Sequence, residues 1–336
     1  MSSNHPPRHF LFTYPRTASN LLLKNLSLED QPAFLPCDKG GYFFIPTVPL
    51  RFETVGKHFD EWTSEEKETF LERHQSCFQA LQKHVQNAEV QGKRVYVKEH
   101  VPWLIEPVAE TKWLFGEEST NELSLVVEDF PGQTHSSGNE TILPDGYLKS
   151  WLPTFLIRHP ALVFPSSYRT GVDNEGAEAA KADPMHALEM TVHWSRTLYD
   201  WYAQQFESLK STSRIDYRWP IILDADDIML DSEIVLQYAT VIGLDPSKLK
   251  FSWTPAHKEE VEKMHPVERR MRSTISSSSG IVEGKTSKNL DIDVEAKKWK
   301  MEFGEVEGKK IEEWVRAAMP DYKYMRSRRF GLKKYQ

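Results

Sequence analysis

The sequence has few cysteines and no long apolar run. Only two of its 336 residues are cysteine, Cys37 and Cys77, and neither has Cys or His neighbours at zinc-site spacing. This argues against a disulfide scaffold and predicts no metal. No apolar stretch reaches the length of a membrane span, and the first fifteen residues lack a signal-type apolar run. We therefore expect a soluble, cytoplasmic protein with no membrane partner.

Excess positive charge is also missing. Lysine and arginine total 42 against 49 aspartates and glutamates, which leaves a net charge of −7. A general nucleic-acid binder usually carries a basic surface, so we expect no nucleic-acid partner and only a local anion site. The GxxxxGK[ST] loop of magnesium-dependent NTPases is absent as well. A kinase or NTPase activity therefore loses its main support.

Short apolar strands that run into polar residues and then into helical segments recur along the chain. The stretches "FLFT", "RVYVKEH", "LPTFLIRHP" and "WPIILDADD" follow this pattern. It predicts an α/β fold with a mostly parallel central sheet and helices on both faces, like that of P-loop NTPases, in a single domain over residues 1–336. Thr63 and Glu66 form a capping box that predicts a helix start. The spacing of apolar residues over residues 291–318 predicts a closing helix.

Two segments read as irregular. Residues 117–146 are polar and rich in helix breakers, which predicts a surface insertion that either covers the active site or has no catalytic role. Residues 268–289 are rich in serine, arginine and lysine, which fits either a mobile basic loop over an anionic ligand or a solvated linker. Three aspartates also stand close together after a predicted strand. Asp224, Asp226 and Asp227 fit either a helix cap or a metal cluster.

The stretch "YPRTASN" leaves the first predicted strand and enters a helix predicted over residues 19–28. Unpaired backbone N–H groups and the helix dipole favour an anion at such a point. A guanidinium and several hydroxyl groups add hydrogen-bond donors. The pattern predicts a phosphate or sulfate site formed by Arg16, Thr17, Ala18, Ser19 and Asn20.

Three motifs, in this order, resemble those of the cytosolic-type sulfotransferases that use 3′-phosphoadenosine 5′-phosphosulfate (PAPS). "YPRTASNLL" resembles the family's 5′-phosphosulfate loop "YPKSGTTW", "VYVKEHVP" resembles "KTHLP", and "LIRHPALVFPSSYR" resembles the 3′-phosphate motif "RNPKDVAVSYY". The likeness spans most of the chain. It implies a P-loop sulfotransferase fold and a sulfuryl transfer that leaves 3′,5′-adenosine bisphosphate (PAP).

The resemblance also implies catalytic roles. His100 stands at the position of the general base, and Lys98 and Arg16 stand where the family has cations that assist transfer. These residue types suit the chemistry, because sulfuryl transfer spreads negative charge over several oxygens and its acceptor hydroxyl must lose a proton.

For the rest of the donor, the resemblance places Arg158 and Ser166 at the 3′-phosphate. A guanidinium forks onto phosphate oxygens in a fixed geometry, which fits this role. "GKTSKN" stands near the family's glycine-rich basic loop, so Lys285 and Lys288 are assigned to the donor as well.

The sequence departs from the family at four donor positions. Arg16 replaces a lysine, and Ala18 replaces a glycine, so the backbone there must avoid positive φ or bear strain. Leu21 and Ala225 stand where aromatic residues contact adenine. Two functions stay open: a sulfotransferase acting on a hydroxyl, phenol or amine of a small molecule, and a repurposed PAP-binding protein without transfer activity.

Aromatic residues in the stretches expected to line the acceptor site favour an apolar acceptor. They are Tyr42, Phe43, Phe44 and Trp103. The sequence names neither the acceptor nor the oligomeric state.

Overall fold

The computed structural model describes residues 6–210 and 218–331. The backbone groups into two compact units. Unit 1 comprises Met1–Tyr14, Pro32–Phe155 and Pro184–Ile221, and unit 2 comprises Pro15–Gln31, Leu156–Asp183 and Ile222–Gln336. The organisation as a single functional domain stays a prediction.

Within the described residues, the strands are β1 Arg8–Thr13, β2 Phe34–Leu35, β3 Arg94–His100, β4 Leu152–Ile157 and β5 Ile221–Asp224. They form one five-stranded sheet in the order β2-β3-β1-β4-β5. β1 pairs in parallel with both β3 and β4. Its residues from His9 onward are buried, as expected for a parallel strand covered on both faces. The predicted α/β class with a parallel sheet and flanking helices is confirmed.

The α-helices of the described residues are α1 Ser19–Leu26, α2 Val48–Thr54, α3 Ser64–Val90, α4 Pro107–Phe115, α5 Asp145–Lys149, α6 Pro160–Glu175, α7 Ala177–Ala182, α8 His186–Glu189, α9 His193–Lys210, α10 Ala225–Leu230, α11 Ser232–Ile242, α12 Lys258–Lys263, α13 Pro266–Ser277, α14 Ile292–Phe303 and α15 Glu305–Arg326. Short 3₁₀ turns lie at Leu28–Asp30, Asp38–Gly41, Ile45–Thr47, Phe59–Glu61, Val101–Trp103 and Pro246–Lys248. Over the described ranges, no helix is both long enough and apolar enough to cross a bilayer.

Two predicted helix starts are confirmed. α1 begins at Ser19, although it ends at Leu26, where Ser27 takes a left-handed conformation with φ of 46°. α3 follows the predicted capping box: the Thr63 hydroxyl accepts from Glu66 N at 3.2 Å, and the Glu66 carboxylate accepts from Thr63 N at 2.7 Å. Two donors at the helix start are thereby satisfied.

The closing helix predicted over residues 291–318 is wrong in its continuity. Gly304, with φ of 90°, separates α14 from α15. The two helices then pack closely, because a Cβ at Gly308 would clash with the backbone of Lys300. Glycine at these two positions makes a tight helical hairpin instead of one helix.

The segment 117–146 is irregular, as predicted, but part of it is not at the surface. Asn139 and Ile142 are buried. The Asn139 amide donates to the Leu143 carbonyl at 2.8 Å and to the Asp145 carboxylate at 2.9 Å. The prediction of a surface insertion is therefore wrong for this end of the segment, which packs into unit 1. Its role as a lid stays a prediction.

The segment 268–289 is not irregular throughout. Its first ten residues belong to α13, which has Pro266 at its first turn and an ion pair of 2.9 Å between Glu268 and Arg272. Pairs at i and i+4 support a helix, and sequence reading gave them too little weight against the serines. The mobility of this segment stays a prediction.

The aspartates after β5 act as caps and hydrogen-bond acceptors. Asp224 caps α10 by accepting from Asp226 N at 2.9 Å, and Asp226 accepts from Ser287 N at 3.0 Å. Asp227 pairs with Arg329 at 2.5 Å. The helix-cap alternative is thus confirmed for Asp224. In residues 6–210 and 218–331 no group of three or more His, Cys, Asp or Glu side chains could hold a metal ion.

Candidate active site

The carboxyl ends of β1 and β3 place a histidine beside a threonine in unit 1. His100, the last residue of β3, is in register with Thr13, the last residue of β1. The imidazole Nδ1 lies 2.7 Å from Thr13 Oγ1, and its Nε2 lies 2.9 Å from the Tyr42 hydroxyl. His100 is only 4% exposed. Both ring nitrogens therefore have a partner in the protein.

The hydrogen bonds determine which ring nitrogen carries the proton. The Thr13 hydroxyl donates its single hydrogen to the Glu99 carbonyl at 3.0 Å. It can therefore only accept from His100, so Nδ1 must be the protonated nitrogen. In the neutral imidazole, Nε2 then keeps its lone pair and accepts from Tyr42. We assign Nε2 as the basic atom of His100.

Charge and burial keep this imidazole neutral. Burial, and then the positive charge of Lys98, hold the pKa of His100 well below 6.5. Lys98 is itself 1% exposed, and its Nζ lies 4.1 Å from the centroid of the Tyr42 ring. The ring face stabilises the buried ammonium group. A neutral histidine with a lone pair at Nε2 can accept a proton from a hydroxyl group.

The chain around Tyr42 is attached to β3 by two contacts. The buried Glu99 carboxylate accepts from the backbone N–H groups of Phe43 and Phe44, the latter at 3.0 Å. Despite these bonds, burial raises the pKa of Glu99 to about 8. Gly41, with φ of 91°, lies so close to β3 that a Cβ would be 3.1 Å from Lys98 N. We call Thr13, Tyr42, Lys98, Glu99 and His100 the imidazole cluster.

Unit 2 contains a second cluster, built on the predicted anion loop. Arg16 donates to the Ser166 hydroxyl at 3.0 Å and to the Met271 carbonyl at 3.1 Å. Arg158 donates to the Arg16 carbonyl at 2.9 Å and to the Lys285 carbonyl at 2.7 Å. The residues predicted for the two phosphates, Arg16, Arg158 and Ser166, are thus brought together.

Like charges surround Arg16. Burial comes first, followed by the charges of Arg270, Arg158 and Arg169, and together they lower the pKa of Arg16 to about 10. We call these four arginines the guanidinium cluster. It still carries full positive charge near neutral pH.

Two of the four arginines have carboxylate partners. Arg169 pairs with Glu302 at 2.5 Å, and Arg270 pairs with Asp173 at 2.6 Å. Within the described ranges, neither Arg16 nor Arg158 has a carboxylate at ion-pair distance; the hydrogen bonds that they donate go to neutral oxygens and, for Arg16, also to the Met271 sulfur. The charges of Asp226 and Asp224 act on Arg158 from a greater distance and partly offset the burial that lowers its pKa. Arg16 is influenced by like charges, and a half-buried charge in such surroundings is suited to bind an anion.

The loop backbone is strained where the sequence departs from glycine. Arg16 and Ala18 have φ values of 66° and 67°, in the left-handed region. Such a conformation costs a residue with a Cβ about 1–2 kcal/mol. Ala18 thus bears strain at the start of α1, which has no side-chain cap. Strained backbone of this kind is common at ligand sites.

The other predicted donor residues fall in different places. Thr17 and Ser19 are buried in the loop, whereas Asn20 is exposed on α1. The side chains of Lys285 and Lys288 are exposed, and only the Lys285 carbonyl contacts the cluster. The donor-binding roles of these residues stay predictions.

Sequence reading missed several members of the two clusters. The role of Thr13 had a signal, since it is the last residue of a strand that leads into the anion loop. Arg169 ends the stretch that resembles the 3′-phosphate motif, so its position could also have been noticed. The hydrogen bond from Tyr42 to His100 joins residues 58 positions apart, and no local sequence pattern predicts it.

The chain was compared with known proteins and protein families. No protein-family model matches the chain. It is 46% identical over 336 residues to "Sulfotransferase ppzF" of Metarhizium majus, with 98% of this chain and 99% of the relative covered. The chain belongs to the sulfotransferase family. A second sulfotransferase ppzF, from Metarhizium rileyi, is 46% identical over 327 residues, which cover 96% of each chain.

Membership of the sulfotransferase family confirms the resemblance seen in the three motifs. Among solved structures, the sulfotransferase domain of the Synechococcus PCC 7002 olefin synthase aligns with 91% of this sulfotransferase and 96% of its own chain. The TM-score is 0.36 and the identity is 13%.

Proposed function

We propose that this sulfotransferase moves a sulfuryl group from PAPS to a hydroxyl, phenol or amine of a small molecule and releases PAP. The observation that carries the proposal is His100, whose hydrogen bonds and burial make it a neutral base at Nε2 in a chain of this family. Bases of this kind contribute about 10²–10⁴-fold to proton-transfer steps.

His100 acts on the acceptor. As the acceptor oxygen forms its bond to sulfur, its proton passes toward Nε2, and the bond from sulfur to the 5′-phosphate oxygen breaks. The Nδ1–H bond to Thr13 keeps the ring oriented while it becomes charged. Lys98 and Arg16 offset the negative charge that develops on the sulfuryl and leaving-group oxygens.

The residues of the guanidinium cluster fit a donor with more than one phosphate. Arg158 and Ser166 suit the 3′-phosphate, and the loop from Arg16 to Asn20 suits the 5′-phosphosulfate. Support comes from Arg16 and Arg158, which are half-buried yet, over the part of the chain described, donate hydrogen bonds to neutral acceptors and have no carboxylate at ion-pair distance.

A PAP-binding protein without transfer activity is the second candidate. It is favoured by Ala225, which is fully buried and offers no aromatic face for adenine. The two candidates share donor binding, so affinity for PAP does not separate them.

Turnover separates them. The test incubates the protein with PAPS carrying labelled sulfur and a panel of phenols, alcohols and amines, beside His100→Ala and an Arg316→Ala control at an exposed ion pair. We expect a labelled product from wild type and from the control, but not from His100→Ala. Binding of PAP without product from any acceptor class would favour the second candidate. Magnesium-dependent ATP turnover that survives His100→Ala would instead indicate a kinase or NTPase.

A further inference from the structure

The basic atom of His100 is not accessible to an acceptor molecule. Its Nδ1 is bonded to Thr13 and its Nε2 to Tyr42, and the residue is 4% exposed. An acceptor hydroxyl therefore cannot reach Nε2 directly while this geometry persists. Tyr42, which is half-buried, is the member of the pair that reaches solvent.

Tyr42 is held in place from several sides. Its neighbours Gly41 and Phe44 are bound to β3 through the close backbone approach at Lys98 and the carboxylate of Glu99. The Lys98 ammonium lies 4.1 Å from the ring centroid on one side, and the Trp103 ring centroid lies 5.2 Å away. This anchoring argues against a side chain that simply swings aside for the acceptor.

We propose that Tyr42 is a catalytic residue that relays the acceptor's proton to His100. The inference rests on the proposed function. As the acceptor oxygen forms its bond to sulfur, its proton moves to Tyr42 Oη, and the proton of Tyr42 moves to His100 Nε2. The S–O bond to the 5′-phosphate breaks in the same step. Tyr42 ends as a neutral phenol and His100 as an imidazolium ion, so charge and atoms balance.

Lys98 suits this relay. Its ammonium group lies over the Tyr42 ring, where a positive charge stabilises the electron density that builds up on the phenol as its proton leaves. A phenol oxygen donates one hydrogen bond and can accept another, so Tyr42 can bond to His100 and to an acceptor hydroxyl together.

The test uses Tyr42→Phe, which keeps the ring and removes only the hydroxyl. Product formation from PAPS is measured with 4-nitrophenol, or with the first acceptor that proves active in the panel. We expect kcat to fall roughly tenfold or more, with PAP affinity by calorimetry unchanged. Tyr147→Phe, which removes a buried phenol hydroxyl beside Phe78 elsewhere in unit 1, is the matched control and should keep wild-type kcat.

A second readout, the solvent isotope effect on the rate, can be measured on the wild-type protein alone. In mixtures of H₂O and D₂O, the wild-type rate should fall along a curve, because two protons move in one step. If Tyr42→Phe retains measurable turnover, its rate should fall along a straight line. A linear wild-type dependence, or full activity in Tyr42→Phe, would overturn the relay while leaving the proposed function intact. If wild type transfers no sulfuryl group to any acceptor, the proposed function fails and the relay fails with it.

Discussion

The imidazole cluster of unit 1 and the guanidinium cluster of unit 2 are organised in opposite ways. In the first, both ring nitrogens of His100 are bonded to protein hydroxyls, and burial together with Lys98 keeps the ring uncharged. In the second, burial and then neighbouring like charges lower the pKa of Arg16, and the loop backbone is strained. The proposed base is held in a fixed orientation by its hydrogen bonds, whereas the proposed anion-binding arginines lie where an anion would relieve repulsion between like charges.

The largest effect should come from the imidazole cluster. His100→Ala removes the base, so we expect kcat to fall by about 10²–10⁴-fold with PAP affinity unchanged. Steady-state rates with PAPS and calorimetry with PAP measure the two quantities. His257→Ala, at an exposed histidine, serves as the control. An equal loss of rate and of PAP affinity would show that His100 supports the fold or the donor and is not the base.

The guanidinium cluster should give the complementary result. Arg158→Ala removes charge-assisted hydrogen bonds, which should cost about 1.5–3 kcal/mol of PAP binding. The difference in affinity between PAP and adenosine 5′-monophosphate, measured by calorimetry, should then shrink, whereas Arg316→Ala should leave it unchanged. If Arg158→Ala still distinguishes the 3′-phosphate as well as wild type does, the assignment of this residue is incorrect.

Backbone strain in the anion loop predicts a smaller change. Ala18→Gly relieves a left-handed alanine, which costs about 1–2 kcal/mol, and loses about 0.4–1 kcal/mol through greater freedom of the unfolded chain. We expect the free energy of unfolding, measured by urea denaturation, to rise by about 0–1.6 kcal/mol. Ala317→Gly, at an exposed position inside α15, should lower it by about 1 kcal/mol. A drop in both variants would contradict the strain.

The smallest expected effect is a displacement of the pH profile. Because the pKa of His100 lies well below 6.5, kcat should stay level as pH falls through 6.5 and decline only further into acid. Lys98→Met removes the positive charge that, after burial, lowers this pKa, so the acid limb should move to higher pH even though kcat falls overall. The Glu99 carboxyl has a pKa of about 8, so its titration would affect the alkaline limb of the pH profile and not the acid limb. A wild-type limb at 6.5 would show that the imidazole is not shielded from water.

Much of the fold and part of the site could be predicted, because their signals are local in the chain. The apolar run of β1 and the capping box of α3 involve residues a few positions apart, and they appear where they were expected. The three motifs identified the family for the same reason. The prediction of an irregular segment at α13 was wrong, because it relied on the serine content and overlooked the Glu268–Arg272 ion pair at helical spacing.

The sequence by itself determined the family, the parallel α/β class and the candidate residues His100, Arg16 and Arg158, since apolar periodicity and short motifs are properties of neighbouring residues. Only the tertiary structure decided the tautomer of His100 and its bond to Tyr42, because these depend on side chains from separate segments. The left-handed turn at Ala18 was decided there as well, because alanine by itself disfavours this backbone angle and its sequence neighbours give no signal for it.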